Sequence, residues 1–262
     1  MADWDAAAYA RISAPQFAWG QQVLARLVRA GLAGDEVVLD AGCGAGRLTE
    51  LLLERLPRGR VVALDASASM LAQAEERLAR FAGRVRYVKA DVAAHVESPP
   101  VDAVFSTATF HWVPDHARLF ASLHASLRPG GRLLAQWGGG RNLARVRARA
   151  TAVRASQAWA RFFEGFREPW NYATADETRD RLHAAGFVDV RAWLEEAPAR
   201  FDDAASYREF LVHVILRDDL ARLPDDAARD AYTAELVEQA GREDPPYVLD
   251  YVRLNADARR SG

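Results

Sequence analysis

Three alternate glycines, Gly42, Gly44 and Gly46, follow the apolar run Val37-Val38-Leu39 and lead into a helix-like segment at 47–56. Glycine accepts positive φ and lets a ligand come close to the backbone. In an open α/β sheet the ligand crevice lies at the carboxyl ends of the strands, beside such a turn. The spacing is Gly-x-Gly-x-Gly, not the Gly-x-Gly-x-x-Gly of dinucleotide sites. A plain strand-to-helix turn would use the same glycines, so their neighbours must decide. Asp65 comes nineteen residues after Gly46, at the end of the next apolar run, where a carboxylate can accept both hydroxyls of a ribose. Asp91 follows the third run, within reach of an adenine amino group. Asp40 sits inside the turn, where an acid would repel a pyrophosphate. Two acids without a paired cation suit a cofactor that carries a ribose and a positive charge but no phosphates.

A second group of residues follows the fourth apolar run. His111 is the candidate for a general base or an orienting group, because it falls at the mouth of the crevice. Phe110 and Trp112 can wall a pocket for a cationic group, since aromatic faces attract a cation by about 0.5–2 kcal/mol; ordinary packing explains them as well. His116, His124, His183 and His213 fall within predicted helices and read as structural or exposed. Near the start, Tyr9 and Arg11 accompany Trp4, Phe17 and Trp19, either as a cover over the site or as a docked surface helix. Trp170, Asn171 and Tyr172 lie between two kinds of sequence, where substrate pockets form. Cys43 reads as a small turn residue.

The elements that must position these groups alternate. Strands are expected at Val37–Leu39, Arg60–Leu64, Val85–Val88, Val101–Phe105 and Leu133–Trp137, with helices between them. Asp115 is a good N-cap for a helix to Leu127, which Arg128-Pro129-Gly130-Gly131 ends. This order predicts a parallel sheet covered by helices on both faces. Farther on, Thr174 and Glu177 form a capping-box pattern for a helix that stops near Gly186. Phe187–Leu194 and Tyr247–Leu254 are the expected last strands. Arg141, Arg145 and Arg149 lie four apart and read as a solvated face. The expected organisation is a helical lid segment at 1–30, a cofactor-binding core at 31–140, a helical cap at 141–172, and a return to the core at 173–262 interrupted by helices at 203–243.

Composition removes several classes of function. The formal net charge is -2, a poor basis for binding nucleic acid through phosphates. With Cys43 alone, no intramolecular disulfide and no cysteine zinc cluster can form, and the six histidines include no HExxH pair, so no metal is expected. Lys89 is the only Lys among 34 basic residues, and it stands in neither a Walker loop nor a Tyr-xxx-Lys site. The acidic start has no signal-peptide pattern and no apolar run approaches the roughly 20 residues of a membrane span, so the cytoplasm is the expected location.

The stretch from Val38 to Gly46 resembles the first motif of the class I S-adenosylmethionine-dependent methyltransferases. Asp65-Ala66-Ser67-Ala68-Ser69-Met70-Leu71 resembles the second, Lys89-Ala90-Asp91-Val92 the third, and Leu127 to Leu133 the turn into the fifth strand. Tyr9-Ala10-Arg11-Ile12-Ser13, the run from Phe110 to His116, and the run from Asp250 to Asn255 resemble the trans-aconitate methyltransferase-like group. The resemblance implies a Rossmann-like α/β fold with seven strands, mostly parallel, the last antiparallel, and a helical cap. It implies S-adenosyl-L-methionine held by Asp40, Gly42, Cys43, Gly44, Gly46, Asp65, Ala66, Met70, Asp91, Val92 and Thr107. It places Tyr9, His111 and Trp112 at the chemistry, and Tyr9, Arg11, Phe110, His111, Trp112 and Trp170 around the substrate. The expected activity is methyl transfer to a small molecule, a carboxylate first, with a carrier-bound acyl group or a natural-product phenol as the alternative. A non-catalytic cofactor binder and a nicotinamide dehydrogenase are the remaining rivals. Monomer and homodimer both stay open. The run Ser106-Thr107-Ala108-Thr109-Phe110-His111-Trp112 departs from the Asn/Asp-Pro-Pro-aromatic pattern of nucleobase methyltransferases.

Overall fold

In the computed structural model, which describes residues 14–262, the alternating apolar runs become strands and the segments between them helices. After helix α1 (Ala14–Arg29), the chain continues through β1 (Val37–Ala41), α2 (Arg47–Arg55), β2 (Arg60–Asp65), α3 (Ala68–Arg77), β3 (Val85–Lys89), β4 (Val101–Thr107), α4 (His116–Ser126) and β5 (Leu127–Gly138). It goes on through α5 (Ala144–Arg154), α6 (Ala175–Ala184), β6 (Phe187–Glu196), β7 (Ala199–Arg200), α7 (Ala204–Phe210), α8 (Arg217–Leu220), α9 (Asp226–Gly241), β8 (Val248–Leu249) and β9 (Val252–Arg260). Among the described residues the main sheet has seven strands in the order β3-β2-β1-β4-β5-β9-β6. The pairs among β1–β5 are parallel, and β9 runs antiparallel to β5.

Strand alternation explains the two-sided burial, because successive side chains point to opposite faces. On one face Val38, Val61, Ala103 and Phe105 pack with Val23 and Leu27 of α1, Leu52 and Leu53 of α2, and Ala74 of α3. On the other, Leu39, Val62, Leu64, Val104, Leu133 and Trp137 meet Leu119, Phe120 and Leu123 of α4 and Leu182 of α6. The caps anticipated in the sequence are made: Asp115 accepts from the Arg118 N–H at 3.0 Å, and Thr174 and Glu177 exchange both bonds of a capping box.

Two compact units are present. The first comprises residues 14–140, Trp170–Glu195 and Arg253–Gly262, and holds the sheet; the second comprises Arg141–Pro169 and Glu196–Val252. In the second, α7 passes through a π turn at Leu211–Ile215, so the helical stretch anticipated at 203–243 is broken into shorter pieces.

Three expectations are corrected. β5 begins at Leu127, not Leu133; a register shift against β4 between Val101 and Ala103 absorbs the Pro129-Gly130 bend within the strand. The last strand is Val252–Arg260, not Tyr247–Leu254: Tyr247 adopts a left-handed φ of 50°, and Val248–Leu249 pairs instead with Ala199–Arg200. Of the arginine face only Arg141 is exposed. Arg149 is 8% exposed and donates to the Tyr207 hydroxyl at 2.6 Å and to Glu243, while Arg145 pairs with the same Glu243 and Arg141 precedes the helix.

Candidate functional site

The turn between β1 and α2 owes its shape to its glycines. Gly42, Gly44 and Gly46 have φ of 87°, 53° and 78°, where a side chain is strained. The N–H groups of Gly42 and Cys43 both donate to Leu64 O of β2, at 2.8 and 2.9 Å, which presses the turn against the neighbouring strand. A Cβ on Gly42 would lie 2.0 Å from Thr109 Oγ1; a Cβ on Gly44 would meet no atom within 4 Å. The first glycine is required by the protein's own packing. The second leaves its backbone approachable.

The acids stand at the strand ends around this turn. Asp65, last in β2, accepts from the Gly44 N–H through Oδ2 at 2.8 Å and from the Ser67 N–H through Oδ1 at 2.9 Å. Asp40, in β1, is 2% exposed and accepts from Thr49 Oγ1 at 2.7 Å. Burial, aided by the negative charge of Asp65, pushes its carboxyl up to about 7 despite the Thr49 bond. Asp91 follows β3 and accepts from the Ala93 N–H at 2.9 Å, closing its own turn. Met70 sits buried in the first turn of α3, Val92 is buried after Asp91, Ala66 is exposed after Asp65, and Thr107 ends β4. The fold thus gathers these residues at the carboxyl ends of the adjacent strands β3, β2, β1 and β4. Cys43 is buried and its thiol is held well above the usual range, first by burial, so it stays an inert turn residue.

After β4, a short 3₁₀ turn at Phe110–Trp112 splits three aromatic side chains between two surroundings. Phe110 is 1% exposed and packs against Trp137 (ring centroids 5.1 Å) and Phe120 (6.2 Å), so it is a core residue and not a pocket wall. His111 Nδ1 accepts the Gly138 N–H at 3.3 Å. Its ring lies 5.1 Å from Trp112 and 6.0 Å from Tyr172, and Tyr172 stacks on Trp170 at 5.7 Å. The Asn171 N–H donates to His111 O at 2.8 Å, pinning the segment 170–172 beside the turn. Burial first, then the charges of Arg253 and His116, hold His111 well below the ordinary histidine range, so it is neutral. With Nδ1 accepting, the ring proton is on Nε2, which is a donor. His116 is a structural residue, bonded through Nε2 to Phe110 O at 2.9 Å. Tyr9 and Arg11 lie outside the described residues.

Tyr172 joins these groups as its neighbourhood with Trp170 suggests, and Thr109, Thr49, Gly138 and Arg253 join them although their spacing singles out no such roles. Thr109 fills the space that a Gly42 side chain would need, and donates to Thr107 O at 2.9 Å. Of these, Thr49 carries a local signal: a small hydroxyl in the first turn of α2, nine residues after the buried Asp40.

A parallel sheet with one antiparallel strand, a left-handed glycine turn and acids at the strand ends define a nucleoside-binding α/β enzyme of the methyltransferase type. The comparisons agree: a family model described as "Methyltransferase domain" matches residues 38–131. A "Trans-aconitate 2-methyltransferase" of Methylobacterium nodulans is 42% identical over 52% of this chain, and that alignment spans only half of the relative's length. A protein of the same name from Rhodopseudomonas palustris BisB5 is 32% identical over 94% of this chain and 93% of its own. The Haemonchus contortus phosphoethanolamine N-methyltransferase 2, solved with S-adenosylhomocysteine, shares the fold (TM-score 0.57, 21% identity, 92% of this chain and 53% of that one). The chain belongs to the class I S-adenosylmethionine-dependent methyltransferases, in the family of these trans-aconitate 2-methyltransferase relatives. It is a methyltransferase enzyme whose cofactor is S-adenosyl-L-methionine, leaving S-adenosyl-L-homocysteine.

The donor set fits that cofactor. Asp40 is an acid raised by burial and by Asp65, and among the described residues its one hydrogen-bond partner is the Thr49 hydroxyl. A cationic ligand relieves that arrangement, whereas a pyrophosphate would aggravate it. No helix of the described chain is long and apolar enough to cross a membrane.

Proposed function

We propose that this enzyme methylates a carboxylate oxygen of a small polycarboxylate such as trans-aconitate, giving a monomethyl ester. The observation that carries the reading is the match over 94% of the chain to a relative named for that activity. The site chemistry supports it. A carboxylate is already ionised at neutral pH and needs no base. His111, neutral and with its lone pair taken by the Gly138 N–H, offers a donor and not a proton acceptor. A phenol would need the proton acceptor.

When bound, S-adenosylmethionine supplies an electrophilic methyl group on a sulfonium. In this reading Gly44 offers its backbone to the cofactor, Asp65 holds the ribose, Asp91 meets the adenine, and the cofactor's positive charge favours the ionised form of Asp40 near the end of β1. His111, Trp112 and Trp170 orient the acceptor and keep water from it, which is most of what such a displacement asks of a protein. The proposed setting is the cytoplasm, with a dissolved acceptor and neither nucleic acid nor membrane involved.

The test is incubation with methyl-labelled cofactor and separate acceptors: trans-aconitate, citrate, a simple phenol and an acyl carrier protein, with products read by mass spectrometry. A base-labile ester of the polycarboxylate is expected. Methylation of the phenol or the carrier alone would overturn the reading.

A further inference from the structure

A buried arginine lies opposite the strand residue that holds the His111 ring, and the proposed function gives it no task. Gly138, whose N–H engages His111 Nδ1, is the last residue of β5 and pairs in register with Arg253 of β9. The antiparallel insertion of β9 therefore brings residue 253 alongside the Gly138 N–H that holds the His111 ring. Arg253 is 3% exposed and its guanidinium lies over the Trp19 ring at 4.8 Å. Its positive charge reaches His111, where it adds to burial in keeping the imidazole neutral. With five N–H donors in a planar fork, Arg253 has capacity for a carboxylate besides its contacts within the protein.

We propose that the Arg253 guanidinium and the His111 Nε2–H together receive a carboxylate of the methyl acceptor. Arg253 supplies the charge and the bidentate geometry; His111 supplies a single neutral donor whose direction the Gly138 N–H sets. Both are binding groups for the acceptor, and neither takes a proton. The arrangement selects anionic acceptors over phenols and amines, because only an anion forms a charge-assisted pair with the guanidinium. This inference rests on the polycarboxylate reading, and its test separates the two.

Calorimetry with trans-aconitate, in the presence of saturating S-adenosylhomocysteine, is run on the wild type, R253Q, H111Q and H111F. S-adenosylhomocysteine alone is titrated as the control for folding. Arg253→Gln is expected to weaken acceptor binding at least about 10-fold, the lower end for a hydrogen bond to a charged group, with S-adenosylhomocysteine affinity unchanged. His111→Gln, which keeps a donor, should lose less than His111→Phe. Where R253Q also loses the nucleoside, R253M, apolar and of similar length, takes its place and is read in the same way. In ¹⁵N spectra of the wild type, the His111 ring should show a protonated Nε2 and an unprotonated Nδ1. Full acceptor affinity in the Arg253 variant with intact nucleoside binding, or a ring protonated on Nδ1, would overturn this inference alone. A wild type that binds no polycarboxylate would overturn the acceptor reading, and this inference with it.

Discussion

The Gly44 N–H donates to Asp65 Oδ2 at 2.8 Å, tying the middle of the glycine turn to the end of β2. The other oxygen of Asp65 accepts from the Ser67 N–H, at the start of α3. One carboxylate thus sets two backbone segments, and in the proposed reading its remaining lone pairs take the ribose. Asp65→Ala is expected to weaken S-adenosylhomocysteine binding by about 1.5–3 kcal/mol, measured by calorimetry. Asp65→Asn, which keeps one acceptor oxygen, should fall between. Unchanged affinity in both variants would place the nucleoside elsewhere.

Gly42 and Gly44 separate folding from binding. Both have positive φ, so each substitution carries a backbone strain of about 1–2 kcal/mol. At Gly42 a Cβ also collides with Thr109, at 2.0 Å from Oγ1, and overpacking adds roughly 1–3 kcal/mol. Gly42→Ala should therefore lower Tm more than Gly44→Ala. Gly44→Val, with no protein atom in its way, should keep a folded enzyme that no longer binds S-adenosylhomocysteine. Thermal melts and calorimetry on the same samples check both halves.

Asp40 makes stability fall as pH rises. Its folded carboxyl titrates near 7, above the usual range near 4 of an unfolded chain. Between those values the unfolded state has lost a proton that the folded state still holds. Unfolding then gains about 1.4 kcal/mol per pH unit from this one group, and the effect levels off above the folded value. Asp40→Asn is expected to remove that slope and to raise Tm at pH 8 relative to wild type, with little difference at pH 4. Denaturation of both proteins across pH 4–8, in the absence of cofactor, measures it. Parallel curves would show that Asp40 ionises freely in the fold.

In the second unit, the Tyr207 hydroxyl accepts from Arg149 Nη2 at 2.6 Å, and burial pushes its own ionisation up to about 12. Tyr207→Phe removes the acceptor and leaves part of a buried guanidinium unpaired. The expected cost is about 1–3 kcal/mol of stability, read by urea denaturation. A loss under about 0.5 kcal/mol would mean that Glu243 alone satisfies Arg149.

What the amino-acid order displays is local. The glycine turn, Asp65 and the Thr174/Glu177 box were readable because their partners lie a few residues or one strand away, and because period-two apolar runs announce a buried sheet. Arg149 looked solvated since Tyr207 and Glu243, which bury it, are remote in sequence. Phe110 looked like a pocket wall because nothing local says that a 3₁₀ turn rotates it toward Trp137 while leaving Trp112 half-buried. Arg253 carries no local signal of its own, because its neighbour Gly138 is defined only by strand register. The boundaries missed at Leu127 and Val252 have the same origin. A bulge and a left-handed Tyr247 depend on which strand lies opposite.

The sheet order also bears on how the molecule is made. β9 is translated after every other strand, yet it lies between β5 and β6. Until residues 252–260 emerge from the ribosome, both neighbours have a bare edge there, and Gly138 has no partner across from it. A nascent chain halted before that point would carry β1 to β5 and the glycine turn in place, with β6 still cut off from the sheet.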